Sequence, residues 1–531
     1  MRFLFIYNLL LLLFEKMLTN TAELFRNAPP TAIFAIGAFV ILAFSLVIRE
    51  FLNPLSKIPG PWIAKYTDIY TTYQFLSGNK PRYVHSLHKK YGIMAPRISC
   101  IEFEGSTSNP VLPIGPVVRV APHEVDIADI SAVKEIHRVG GKYLKSEFYD
   151  KIGHRGGRTL FNQTDPHLHA IRRKLLSAGM ARANIVHLEP DVMQRIQLTM
   201  KRMQEENDHS GVIDVFKWWT FMAADVITEL SFGQSFQTTE HGLKTPLITT
   251  LQKQSFFMAV RTTFPSLLPW AQLLPLPLLK EVQAGGQRIF HRASQAIGQY
   301  KRMVDSGLNT RRTLFSNLLK SETRELTEME IIQEACGYIA AGSDTTAITM
   351  TYLIWSVCRN QSIRDRLVTE VKGLPDGFSE ESVRDLTYLN QVINEALRLH
   401  SAVPSALPRR VPPEGATLGG YYIPGGTTAS TQAYTLHRDP VLFPASESFN
   451  PSRWENPTKE MKAAFMPFGG GTRACIGIHL AWMELLLATT LFFRKFPDAR
   501  VSTKEGMCDE DMGVKAYLLV SPKSRRCLIE V

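Results

Sequence analysis

A lone cysteine in a glycine-rich stretch limits what this chain can fold around. Phe468 to Gly477 reads FGGGTRACIG, and the apolar run IHLAWMELLLATTLFF follows it. Three consecutive glycines let the backbone take positive φ and approach a flat ligand closely. Arg473 offers a planar fork to an acidic group. The run that follows has a helical pattern, so Cys475 is predicted at a helix N-terminus, where free N–H groups and the helix dipole favour thiolate over thiol. No C-x-x-C or H-x-x-x-H partner accompanies it, so a four-ligand zinc site is excluded. A single axial thiolate on a haem iron fits the arrangement. On Gly-Gly-Gly and Cys alone, a buried structural cysteine fits as well.

The full pattern F-x-x-G-x-R-x-C-x-G, filled by Phe468, Gly471, Arg473, Cys475 and Gly477, is more specific. It resembles the haem-binding signature of the cytochrome P450 family, the haem-thiolate monooxygenases. The resemblance implies a mainly α fold, one large helical domain with small β-sheets, binding haem b with Cys475 as the iron ligand.

Glu334 to Trp355, EACGYIAAGSDTTAITMTYLIW, is apolar enough to be a central buried helix, so Asp344 and Thr345 in its middle need a reason. Gly342 costs a helix interior about 1 kcal/mol relative to alanine, and threonine can bond back to a carbonyl one turn earlier. Together they predict a local bend beside a hydroxyl and a carboxylate; an internally satisfied polar pair is the alternative. AGSDTT, beginning at Ala341 and Gly342, resembles the family's oxygen-activation motif, with Asp344 and Thr345 in the acid and alcohol positions.

Two further motifs stand in family order. YLNQVINEALRLH sets Glu395 and Arg398 three apart on one helical face, ordinarily a surface pair worth a few tenths of a kcal/mol. Its match to E-x-x-R implies a buried network completed by Arg453 in FNPSRW, where Ser452 replaces the usual acidic residue. In DPHLHAIRRKLLSAGM, His169 and Arg173 share a helical face. An exposed basic helix would explain them, with His167 as polar surface; the resemblance instead implies a grip on the haem propionates, joined by Arg473 and by Arg409, for which Arg410 competes.

The chain opens with two apolar stretches, Phe3–Phe14 and Thr31–Ile48. The second has 18 residues without a charge, and as a helix it would reach roughly 27 Å, close to a bilayer's hydrocarbon thickness. Residues 1–52 are therefore predicted as a membrane anchor, with a cleaved signal as the alternative. NPLSKIPGPW, residues 53–62, is a predicted proline-rich hinge, and 63–531 the catalytic domain. Residues 93–115 are an atypical insertion between HKKYG and PVVRVAP: a tolerated loop, or a translated intron whose in-frame removal would leave KKYGPVVRV. Phe256–Leu279, apolar and broken by four prolines, is expected either to dip into a membrane or line a substrate channel, or to pack on the core.

The net charge of +11 is spread without a dense basic run, which argues against nucleic acid and suits an acidic partner or anionic lipid. Six cysteines at 100, 336, 358, 475, 508 and 527 show no disulfide spacing, which fits a cytosol-facing domain. The resemblance implies insertion of one oxygen atom from O2 into an apolar small molecule, with electrons from a separate NADPH-dependent cytochrome P450 reductase on the endoplasmic reticulum membrane. A haem isomerase or dehydratase without O2, and a non-catalytic haem sensor, are the other classes. The wording HAIRRKLLSAGMA and LPRRVPPEGATLGGYYIPGGT looks most like fungal members of secondary metabolism.

Overall fold

The computed structural model describes residues 29–92, 115–153, 157–270, 273, 276–307, 313–316, 318 and 326–531. The stretch Phe3–Phe14 and residues 93–114 of the insertion lie outside them. The chain divides into two compact units, one ending at Lys57 and one running from Ile58 to Val531.

In the first unit the apolar run forms the helix Pro30–Leu52. Pro30 sits in its first turn, where a missing N–H is harmless. Asn53 follows it, its side chain accepting from the Leu55 amide at 2.9 Å, and a short 3-10 turn spans Pro54–Lys57. Phe34, Phe39, Ile41 and Phe44 are exposed along the helix. Among the described residues no helix is long and apolar enough to cross a membrane, so the spanning anchor expected over residues 31–48 is without structural support.

The second unit is mainly helical and is organised around the helix Glu328–Cys358. Thr327 and Glu330 close a capping box at its start, satisfying two amides that would otherwise lack partners. The helix Val215–Phe232, buried at every position except Lys217, packs along it. A Cβ on Gly342 would come within 2.6 Å of Ile227 Cγ1, so this glycine lets the two helices meet. The α-helix runs without a break from Glu328 to Cys358 through Gly342, and close packing is what the missing side chain serves.

A five-stranded sheet runs in the order Val117–Ala121, Glu124–Ile127, Thr428–Ser430, Arg409–Arg410, Leu144–Lys145. Lys145 pairs directly with Arg409 in antiparallel register. The second half of the proline-rich segment is fixed to this sheet. The Pro59 carbonyl accepts from the Arg119 amide at 2.8 Å, and a Cβ on Gly60 would lie 2.4 Å from the Arg119 carbonyl oxygen.

The Phe256–Leu279 segment divides in two. Phe257, Met258, Ala259 and Val260 are buried in the helix Pro246–Thr263, and Phe257 and Val260 pack with Leu279 and Val282. Phe264, Leu267, Trp270, Leu273 and Leu276 are exposed.

Candidate active site

The loop from Phe468 to Gly477 is shaped by glycine and closed by its own backbone. Gly469 and Gly471 take φ of +69° and +61°. A Cβ on Gly471 would fall 1.9 Å from the His137 carbonyl oxygen, a position that only glycine can occupy. The Cys475 amide donates to the Phe468 carbonyl at 2.9 Å, and Gly477 is the N-cap of the helix Ile478–Lys495. The Cys475 side chain is solvent-accessible although it lies deep among protein atoms. The thiol lies near Tyr338 of the central helix, whose phenol is raised first by burial, then by Glu334 and by Cys475.

Burial pushes the Cys475 thiol above its ordinary value, and the opposing pull of the Gly477 amide and of Arg173 does not overcome it. A coordinated cation would supply the missing charge, since a metal deprotonates its thiol ligand outright.

Beside this loop the structure gathers positive charge. Lys145 and Arg409 are cross-strand partners, 8% and 4% exposed. Arg473 donates to the Gln163 carbonyl at 2.7 Å, Arg173 to the Ala474 carbonyl at 2.8 Å, and Arg409 to the Tyr149 hydroxyl at 3.2 Å. Lys145 reaches the Phe161 carbonyl and lies 4.3 Å from the centre of the Tyr149 ring. Among the described residues none of these four cations forms an ion pair with a carboxylate. Burial, then Arg409 and Arg473, holds Lys145 well below its ordinary value. Burial followed by Arg409 lowers Arg473 to about 10. His169 is lowered to about 3 by burial, then by Arg473, Lys145, Arg173 and Arg409, and so is neutral at physiological pH.

Like charges opposite each other in a sheet destabilise it unless an anion intervenes. Haem carries two propionate carboxylates and an iron that accepts a thiolate, and the unpaired cation cluster beside an enclosed thiol fits both. Arg410 is exposed, which leaves Arg409 as the inward member of that pair. His167 is exposed, away from the cluster.

Glu395, Arg398 and Arg453 meet in one buried network. Arg398 donates to both Glu395 oxygens at 2.9 and 2.8 Å, and Arg453 Nε to Oε1 at 3.0 Å. Arg398 also donates to the His437 and Ser446 carbonyls at 2.6 and 2.7 Å. Burial would raise the Glu395 carboxyl, yet Arg398 and Arg453 hold it below the usual range. His437 carries the network to the thiolate loop: its Nδ1–H donates to the Arg398 carbonyl at 2.9 Å, and its Nε2 accepts from the Met466 amide at 2.9 Å.

On the central helix, Thr345 donates to the Ala341 carbonyl at 2.7 Å. Ala341 is exposed in the midst of a largely buried helix. Asp344 is 7% exposed, and burial raises its carboxyl to about 8 against the pull of Arg525. Next along the chain, Thr346 donates to the carboxyl of buried Glu484 at 2.8 Å.

The Cytochrome P450 family profile matches residues 113–528. The chain belongs to the cytochrome P450 family. It is 47% identical to the cytochrome P450 monooxygenase tazI of Aspergillus terreus, across 93% of this chain and 97% of that protein. Identity to the cytochrome P450 monooxygenase orf2 of Aspergillus niger is 42%, covering 92% and 96%. For the cytochrome P450 monooxygenase aflV of Aspergillus parasiticus it is 34%, covering 97% and 100%.

Within this P450 several residues of the site escape a reading of the sequence. Lys145 reaches the cation cluster through strand pairing and Tyr149 from the 3-10 turn Glu147–Lys151 just after it, and neither leaves a mark in the local string KSEFY. His437 and Trp454, whose Nε1–H donates to Glu395 at 3.0 Å, belong to the Glu395 network without a motif of their own. Glu484 did carry a signal: it is the only acid in the apolar run after Cys475.

Proposed function

We propose that this haem-thiolate monooxygenase, akin to fungal P450s of secondary metabolism, binds haem b and oxidises an apolar small molecule. The observation that carries the cofactor assignment is the enclosed Cys475 thiol beside four cations that have no carboxylate partner among the described residues. Cys475 would ligate the iron, held by the loop whose backbone closes from Cys475 to Phe468. Arg173, Arg409, Arg473 and Lys145 would neutralise the propionates, with neutral His169 as a hydrogen-bonding neighbour. When bound, the haem supplies the reductive activation of O2.

The chain's own contribution lies in placement and protons. Asp344 holds its proton up to about pH 8 and can donate at neutral pH. Thr345, whose hydroxyl rests on the Ala341 carbonyl, stands next to it to relay or orient. An isomerase or dehydratase would need neither group, and the monooxygenase names of the relatives favour oxygen chemistry. P450 monooxygenases require O2 and a redox partner; an NADPH-dependent P450 reductase is our assignment of that partner, docking on a protein of net charge +11.

The apolar residues exposed on the helix Pro30–Leu52, together with Phe264, Trp270 and Leu273, support association with the endoplasmic reticulum membrane, the catalytic unit facing the cytosol. Expression with and without residues 1–52, followed by carbonate extraction of membranes, tests that placement; equal solubility of both forms would remove it. For the chemistry, Cys475→Ala should abolish both the reduced carbonyl band of a thiolate haem and incorporation of labelled oxygen into product. Retention of either would overturn the assignment.

A further inference from the structure

A buried acid stands behind the cation cluster and, among the described residues, bonds to none of its members. Glu334, 2% exposed near the start of the central helix, accepts from Arg172 at 2.9 Å and from the Leu160 amide at 2.8 Å, both on one oxygen. Arg172 is buried too, and it also donates to the Glu330 carboxylate at 2.7 Å and to the Arg158 carbonyl at 2.8 Å. Glu330 and Glu334, four residues apart, share a helix face. One guanidinium therefore closes on two acids and a carbonyl, which its planar fork allows and an ammonium does not. Burial raises the Glu334 carboxyl, and Arg172 and the Leu160 amide pull it back.

Two paths lead from this acid to the cations. The first is the helix Pro166–Met180. Arg172 fixes its rotation against the central helix, and the next side chain, Arg173, leaves the axis about 100° away, where it donates to the Ala474 carbonyl at 2.8 Å. His169 lies one turn before Arg173. The second path is the segment Arg158–Gln163. Its start is held by Arg172 on the Arg158 carbonyl and by Glu334 on the Leu160 amide. The Asn162 side-chain oxygen closes its turn, accepting from the Thr159 amide at 2.6 Å and the Thr159 hydroxyl at 3.0 Å. Its far end presents two carbonyls to the cluster: Phe161 takes the Lys145 ammonium, and Gln163 takes Arg473 at 2.7 Å. Arg409 follows through its strand pairing with Lys145.

We propose that Glu334 is a positioning residue for the cofactor: through Arg172 and the Leu160 amide it sets where His169, Arg173, Lys145 and Arg473 stand, and with them the seat of the haem propionates. The inference rests on the reading that those cations hold the propionates. A buried Glu–Arg pair gains little net stability over apolar residues of similar volume, so the placement of what it anchors accounts for this one better than stability does. The acid also stays off the cations themselves, which leaves their charge to the propionates.

The test uses full-length, haem-loaded protein carrying Glu334→Leu, Glu334→Gln, Arg172→Lys or Lys145→Met. The resonance Raman bending bands of the propionates report their bonding partners, and haem transfer to an acceptor apoprotein reports the hold on the cofactor. E334L leaves no oxygen for Arg172 or Leu160 and should shift the bands and speed haem transfer severalfold. E334Q, whose amide oxygen can accept both bonds, should stay near the native spectrum, and R172K, which cannot reach all three acceptors, should fall between the two. R172K decides the matter if E334L does not take up haem. Bands unmoved in R172K and in any haem-loaded E334L overturn the inference, even where the melting temperature falls, because a purely structural pair would lower stability alone. E334Q as displaced as E334L overturns it as well, since a missing charge and not a missing acceptor would then be the cause. K145M tests the underlying reading: propionate bands unmoved there overturn that reading and this inference with it, whereas bands that move in K145M but not in R172K or E334L overturn the inference alone.

Discussion

Thr346 donates to the Glu484 carboxyl at 2.8 Å, tying the helix that bears Asp344 and Thr345 to the helix that follows Cys475. The two halves of the site, oxygen side and thiolate side, are joined by this bond between buried groups. Burial raises the Glu484 carboxyl to about 8.

Stability should therefore depend on the Glu484 proton. The native state keeps it up to about pH 8, while the unfolded chain releases it at an ordinary carboxylate value, so native stability falls as pH rises between the two. Glu484→Gln, which keeps an oxygen for Thr346 to donate to, should remove that slope and be the more stable form near pH 8. Thr346→Val leaves the acid without its donor and should cost about 1–3 kcal/mol. Denaturant melts at about pH 5 and about pH 8 read both effects.

The Glu395 network makes the opposite demand. Its folded-state carboxyl is held low by Arg398 and Arg453, so its stabilisation is present above the ordinary carboxylate range and is lost as pH falls through the depressed value. Arg398→Ala leaves Glu395 buried with a reduced partner set and should destabilise by roughly 3–5 kcal/mol. Because His437 passes the network on to Met466, haem content should fall along with the denaturation midpoint. Normal haem content in a folded R398A protein would separate the network from the loop.

Lys145 opposite Arg409 predicts effects of opposite sign in two states. Without haem, Lys145→Met removes a like-charge contact and should raise the melting temperature. With haem, the same change removes a propionate partner and should weaken cofactor retention. Melting curves and haem-transfer rates to an acceptor apoprotein measure the two, and a fall in both would refute the repulsion argument.

The last residue of the insertion lies against the helix that precedes it. The Gly115 amide donates to the His88 carbonyl at 2.9 Å, and His88 Nδ1 meets the Gly115 carbonyl at 2.5 Å, so the helix Lys80–Gly92 and the strand Val117–Ala121 lie close together on either side of it. A protein lacking 93–115 and reading KKYGPVVRV should fold, bind haem and melt no lower than the full chain. Loss of haem binding on deletion, or a mature transcript that retains the segment, would sink the intron reading.

The motifs that name the family were legible because each is local. Glycines at 469 and 471 meet a backbone requirement, and Glu395 and Arg398 share a helical face by spacing alone. A substrate pocket was not legible, since its walls come from distant segments whose side chains follow no shared period.

The sequence by itself determined the helix that carries Asp344 and Thr345, the glycine loop around Cys475 and the family, because spacing along a chain fixes which groups share a turn or a face. Tertiary structure alone decided the rest. It set Lys145 across from Arg409, brought Glu484 to Thr346, and made Gly342 a point of close contact with Ile227. Burial and cross-strand pairing act between residues far apart in sequence, and their energies depend on what surrounds a group, which no local string records.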